Sequence, residues 1–474
     1  MLPRTVVLVA FAALTAGAAC SDLKVASTAA DDPEEESPDP SSPEDAGGDR
    51  RPDAEAPPPD AGEPPMDFEC SADPWTKETK AREECAPRRV RDVVTEPAIL
   101  PTGVSIARTP AGRVGIVFNS EVSAEEGTMV LVHFIPSTPT FEPKVVTNAT
   151  GFAFHDGLQT RIAATGPDTL HVLAHDVEDD SRSGEVRLYR LVNGAAPLVG
   201  SELVMAGVKH PAELGFAVAS NGDTFVTVRA TTDATTAKLA ARMKRSGSDF
   251  VPLPDVTTSL SWNAATGAGA SSLFVDPTGQ VHLLYHHVET SQHSTPRYHS
   301  LDGTSWSYRK TIDNAIVDGL CGYSPRIVAS GTKKYALYYF RKAGQSPPAT
   351  ADLRLATWTS SNDTPTIEIL DQSIPSEDAA NPTYRAAMAI DAHGLLHLAL
   401  VRPTSSTRGY LEYRRQTRVA GGGTKWLSDI VDPEVVTETG SALVDLVVDD
   451  AGRPHIAYWS AKDGRVKYAT RYDR

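Results

Sequence analysis

The chain lacks the short motifs on which much enzyme chemistry rests. Its 474 residues hold no P-loop, no G-x-S-x-G elbow, no H-E-x-x-H helix and no G-x-G-x-x-G opening a helix after a strand. Phosphate cradling, serine-elbow hydrolysis, zinc-peptidase chemistry and dinucleotide binding therefore have no visible seat. Positive charge is in deficit as well: 45 Lys and Arg face 61 Asp and Glu, a net charge of −16 that argues against nucleic acid as a partner. The one long apolar run lies in residues 1–19, too short and too early to span a membrane in the mature protein.

What the sequence has is a repeat. An apolar run, a Gly-containing turn and a second apolar-aromatic run recur, most clearly as SSLFVDPTGQVHLLY (271–285), AAMAIDAHGLLHLAL (386–400) and VDLVVDDAGRPHIAY (444–458). The second runs begin at Gly115, His171, Phe225, His282, Tyr335, His397 and His455, at separations of 56, 54, 57, 53, 62 and 58 residues. That period accommodates four strands with their turns, and a unit that cannot bury its own apolar face must stack on copies of itself. In the fourth unit the strands fall at 271–275, 281–286, 297–301 and 306–312, and Asp302-Gly303 reads as a type I′ hairpin turn. Gly247 and Gly423 each precede a large aromatic, Phe250 and Trp426, by three residues, as Gly303 precedes Trp306, which suits packing between neighbouring sheets. The last unit lacks an outer strand, and residues 89–96 (RVRDVVTE) alternate suitably to supply it. The expected architecture is all-β: a seven-bladed β-propeller of four-stranded antiparallel blades, closed by an N-terminal strand.

The pattern of an apolar run, Asp, two residues, Gly, two residues, His and an apolar-aromatic run resembles the repeats of bacterial secreted β-propellers grouped as sialidase-like. Residues 300–306 (SLDGTSW) resemble an Asp-box shortened by one residue between Asp and Trp. Sialidase propellers have six blades, so seven units separate this chain from their activity. Residues 1–19, with Arg4 and VVLVAFAALTAGAA before Cys20, resemble a bacterial lipoprotein signal, although Gly17 stands where that family usually carries Leu. The resemblance implies removal of 1–19 and lipidation of Cys20 in the cell envelope, at the outer membrane or cell surface, with secretion as the alternative.

Residues 20–69 carry 16 acids against three bases and are rich in Pro, Ser, Gly and Ala, the composition of a self-repelling disordered linker. From residue 70 onward the balance is only −4. If Cys20 is lipidated, Cys70 and Cys85 become disulfide partners that pin residues 70–88 ahead of the propeller assigned to 89–474, leaving Cys321 as a buried or semi-buried free thiol.

Matching positions on a ring are spread apart, so His171, His282, His397 and His455 are expected to bond turns and not to share a metal. The D-x-x-G turns lack calcium-loop spacing, and no cofactor is expected. Strand direction puts the starts of first strands and the ends of second strands at one mouth of the funnel. That mouth should collect Arg161, Arg326 and Arg385, with His175, Asp176, His286, His287 and Tyr323 near them. Guanidiniums converging there suit a carboxylate-bearing ligand. The leading function is recognition by a monomer of a glycan or an envelope or extracellular macromolecule, with the membrane engaged through the anchor alone. A carbohydrate-active enzyme, either a sialidase-like hydrolase or a polysaccharide lyase using His or Tyr for proton transfer, is the alternative, and a structural surface lipoprotein the third.

Overall fold

The computed structural model describes residues 88–92, 99–121, 127–135, 144–147, 160–177, 183–193, 199–209, 214–231, 236–261, 270–290, 293–313, 319–342, 349–376, 386–404, 409–435, 443–460, 462 and 464–471. All lie within the larger of two compact units, Met66–Arg474. The proposed anchor Cys20, the linker and the Cys70–Cys85 pair lie outside the described residues, as does Arg385.

Strand β1 (Arg88–Asp92) precedes the first complete blade. Blade 1 is β2 (Ile99–Arg108), β3 (Val114–Glu121), β4 (Gly127–Phe134) and β5 (Lys144–Thr147). Blade 2 is β6 (Thr160–Thr165), β7 (Thr169–Val177), β8 (Ser183–Val192) and β9 (Val199–Lys209). Blade 3 is β10 (Gly215–Val218), β11 (Thr224–Thr231), β12 (Thr236–Lys244) and β13 (Val251–Ser261). Blade 4 follows with β14 (Ser271–Val275), β15 (Val281–Thr290), β16 (His293–Asp302) and β17 (Ser305–Thr311), and blade 5 with β18 (Gly319–Ser330), β19 (Lys333–Lys342), β20 (Ala349–Trp358) and β21 (Thr366–Ser376). Blade 6 is β22 (Ala386–Ile390), β23 (Leu396–Pro403), β24 (Gly409–Arg418) and β25 (Thr424–Val435). Blade 7 is β26 (Val444–Val448), β27 (Pro454–Ser460) and β28 (Arg465–Arg471), completed by β1 from the other end of the chain.

The innermost strands β2, β6, β10, β14, β18, β22 and β26 touch one another in that order, and β26 touches β2, so the seven sheets form a closed ring. Antiparallel pairing of Arg88 with Arg471 through Asp92 with Lys467 joins the ends, a little earlier in the chain than the segment read from the sequence. Period-2 alternation gives every blade two apolar faces, and the core accordingly occupies the seams: Val104, Ile116, Phe118 and Trp459 between blades 7 and 1, and Leu253, Leu283 and Tyr285 between blades 3 and 4.

Two features depart from a regular propeller. The β16–β17 turn pairs Asp302 with Ser305, leaving Gly303 and Thr304 as the loop. Gly303 has φ +62° and Thr304 is not among the positive-φ residues, so the turn is of type II′ rather than the type I′ read from the sequence. Blades 4 and 5 are also bridged directly. Ser294 in β16 pairs in parallel with Leu320 in β18, its Oγ accepts from the Cys321 amide at 2.9 Å, and it donates to the Cys321 carbonyl at 3.2 Å. The backbone of β18 pays for that approach with Gly322 at φ +108°, where a Cβ would stand 3.0 Å from the Pro296 nitrogen, and with Ser324 at φ +46°.

Deleting residues 1–92 should leave the edge of β28 unpaired. Scanning calorimetry should then show a thermal midpoint lower by at least about 5 °C, and light scattering should show self-association; an unaltered midpoint would contradict closure by β1.

Candidate functional site

The two ends of the ring differ. At the end formed by the β14–β15, β22–β23 and β26–β27 turns, the D-x-x-G-x-x-H sequences build one device three times. Asp276 Oδ1 accepts from the amides of Thr278 and Gln280, Asp391 Oδ1 from His393 and Leu395, and Asp449 Oδ1 from Ala451 and Arg453. The other carboxylate oxygen faces a histidine Nε2, at 3.3 Å for His282, 3.3 Å for His397 and 3.6 Å for His455. Each Nδ1 meets a tyrosine hydroxyl one strand further out: Tyr298 at 2.9 Å, Tyr413 at 2.5 Å and Tyr468 at 2.6 Å. In His282 and His397 a neutral imidazole satisfies both partners, with Nε2–H donating to the carboxylate and Nδ1 accepting from the phenol, whereas His455 Nε2 stands beyond hydrogen-bond distance of Asp449. Burial is the largest influence on Asp276 and would raise its pKa, but bonds from Thr278, His282 and Gln280 together hold it below the usual range. Burial lowers His282 and His455 against the pull of their aspartates. These histidines are structural. His171 differs because Thr165 occupies the aspartate position, and its Nδ1 meets no partner.

The innermost strands line the axis of the ring. Pairing each innermost strand with its second strand sets a common register: Ala107 faces Gly115, Ala163 His171, Ala217 Phe225, Phe274 His282, Val328 Tyr335, Ala389 His397 and Val447 His455. Two residues earlier lies one layer of the ring, made of Ser105, Arg161, Gly215, Ser272, Arg326, Ala387 and Asp445. Polar members of this layer reach across the seams. Ser105 Oγ accepts from the Ile162 amide at 3.4 Å, Ser272 Oγ from Ile327 at 3.3 Å and Asp445 Oδ2 from Ile106 at 3.0 Å. In each case the amide is one position along in the next innermost strand. Asp445 also accepts from Ser105 Oγ at 2.8 Å, and Arg161 Nε donates to the Leu214 carbonyl at 3.3 Å.

Ser105, Arg161, Ser272, Arg326 and Asp445 of this layer line an axial cavity of about 340 Å³, whose apolar wall includes Phe216, Phe274 and Met388. Arg161 and Arg326 stand on blades 2 and 5, three blades apart, and both line it. Arg326 Nη1 donates to the Pro325 carbonyl at 2.9 Å.

The other candidates do not line the cavity. His175 is buried in blade 2, with Nε2 3.3 Å from the Val208 carbonyl. Asp176 is half-buried, 3.9 Å from Arg187. His286 and Tyr323 are buried and brought together across the blade 4–5 seam, ring centroids 4.5 Å apart. His287 is buried against Tyr285 on the blade 3 side. Cys321 is buried with its thiol directed at Asp313, which also receives Arg354 and Tyr338. Burial first, then Asp313, pushes the thiol pKa up, so it is no thiolate nucleophile. No cluster of three metal-ligating side chains exists among the described residues. Sequence reasoning missed Asp445, Ser105 and Ser272, although superposing the seven first strands on their markers would have put them beside the arginines.

No protein-family profile matches the sequence, and no curated protein matches it. Solved structures do. The BP39L lectin from Burkholderia pseudomallei superposes with TM-score 0.54 at 12% identity, over 78% of this chain and 95% of the lectin. A PL25 ulvan lyase bound to -[GlcA(1-4)Rha3S]- superposes with TM-score 0.52 at 9% identity, over 80% and 94%. A further structure of a PL25 ulvan lyase gives 0.50 at 10% identity, over 80% and 93%. At these identities the likeness is one of fold.

Burial lowers His175 to about 4 against the Val208 bond, and burial followed by Arg297 does the same for His287 and His299. Folded-state values below the unfolded value of 6.5 mean that stability is complete above pH 6.5 and is lost as pH falls towards 4. The thermal midpoint should be flat from pH 8 to 6.5 and fall between 6.5 and 4.5, with a shallower fall in His175→Gln; a level midpoint across that window would refute neutral burial.

Proposed function

We propose that the protein is a recognition module for an acidic glycan, seated over the axial cavity and held by Arg161 and Arg326. The observation that carries this reading is the placement of two guanidiniums, at equivalent positions on nearly opposite walls, around one partly apolar cavity. Guanidinium pairs with carboxylate or sulfate through parallel hydrogen bonds, and Phe216 and Phe274 offer apolar surface to a sugar ring. The structural neighbours that include a lectin and a polysaccharide lyase support a glycan ligand. Binding is preferred over catalysis because His175, His286, His287 and Tyr323, the proton carriers a lyase would use, are buried away from the cavity wall. Asp445, the carboxylate on that wall, is committed to Ser105 and Ile106. We place the chain with bacterial secreted propellers of the sialidase-like group, on the strength of the D-x-x-G-x-x-H turns of blades 4, 6 and 7.

Titration calorimetry with a uronate-containing oligosaccharide should show saturable binding, absent for its neutral counterpart. Arg161→Gln and Arg326→Gln should each weaken it at least about tenfold, or about 1.4 kcal/mol. A blank glycan array with purified full-length protein, or affinity equal to wild type in both variants, would reject the reading.

The proposed location is the cell envelope, with the propeller carried on an acidic linker from a lipid at Cys20. Labelled palmitate should enter the wild type and be lost in Cys20→Ser; equal incorporation would argue for secretion instead.

A further inference from the structure

Arg341 is a buried cation left without a counter-charge. Strand alternation puts it on the face of β19 that carries Tyr335, Leu337 and Tyr339, which packs on blade 6. Its register partners are Leu320 near the start of β18 and Ala351 in β20, so it lies at the end of blade 5 away from the β18–β19 turn, beyond Arg326 on the same hairpin. The residue is 7% exposed. Its Nε and Nη1 are shielded from solvent and meet no hydrogen-bond acceptor.

Other arginines of blades 5 and 6 have carboxylate counter-charges within the protein. Arg354 donates to Asp313 at 2.8 Å and lies 3.9 Å over the Phe340 ring. Arg402 and Arg414 share Asp371 and Glu412. A guanidinium withdrawn from water without such partners is strongly unfavourable, and that cost is relieved when an anion binds.

We infer that Arg341 is a second anion subsite and that the ligand is an extended acidic polysaccharide. One acidic unit docks in the axial cavity, and another, further along the same polymer, docks at Arg341. The inference rests on the acidic-glycan reading and adds chain length to it. Four residues of β19 separate Arg341 from Leu337, the register partner of Arg326. At ~3.3 Å per residue this is roughly 13 Å, a span that a single sugar does not cover.

The test uses the full chain, with free glucuronate, oligoglucuronates of increasing length, a sulfated neutral oligomer and an unmodified neutral oligomer. In the wild type, long acidic oligomers should bind at least about tenfold more tightly than the shortest, and whichever acidic series shows the gain identifies the anion. In Arg341→Gln the ratio of long to short affinities should fall towards one, whereas Arg326→Gln should weaken both by a similar factor. Without ligand, Arg341→Met should raise the thermal midpoint by about 2 °C, because an uncompensated charge is removed. A purely structural arginine would lower it. Retention of the length gain in Arg341→Gln, a lowered midpoint in Arg341→Met, or an equal gain for the neutral oligomer would overturn the inference. Binding of short acids with no gain for long ones overturns it alone, and failure of every acidic ligand overturns the acidic-glycan reading with it.

Discussion

The ring depends on how its innermost strands are held to one another. Within a blade, neighbouring strands exchange the usual ladder of amide bonds, but from blade to blade the inner strands splay and that ladder is absent. Short side chains at one register position take its place. Asp445 reaches Ile106, Ser105 reaches Ile162 and Ser272 reaches Ile327, each bridging to a backbone amide of the following blade. Apolar contact in the seams supplies most of the attraction, being non-directional; the polar bridges fix the height at which each blade meets the next. Because they are set at a common height, any longer side chain at the same position is aimed into the axis, and this is why Arg161 and Arg326 share one cavity.

The architecture was legible in the sequence because it is written seven times. Blade count, the bounds of β14, the outer strand drawn from the N-terminal side and the structural use of His282, His397 and His455 all follow from periodicity and turn chemistry, which are local. The type of the β16–β17 turn was not legible, because Asp-Gly suits more than one hairpin and register decides which residues form the loop. The Ser294–Leu320 bridge and the stacking of His286 on Tyr323 join residues of different blades, and nothing local announces them. Arg341 sits in the run YYFRK as an ordinary strand-ending cation, and only burial without a partner sets it apart.

The two ends of the propeller divide the work. At one end, carboxylates bond the backbone amides of the turns and face imidazoles that in turn meet phenols. At the other, guanidiniums face the axis or a seam, and the unusual backbone of β18 lies between Arg341 and Arg326. Conformational strain and incompletely partnered charge both lower stability, and blade 5 carries both beside the cavity. Rigid turns at the first end allow such local losses at the second without loosening the ring.

Closure by β1 also sets the order of events during synthesis. β1 leaves the ribosome before any complete blade, yet its partner β28 emerges after all the others, so the earliest strand made is the last to be used. Blades can add to the growing arc one after another, but blade 7 is completed only by a contact between residues as far apart as 88 and 471. Until then the nascent arc exposes the apolar faces of its two terminal blades, and it is in that interval that protection by chaperones matters most.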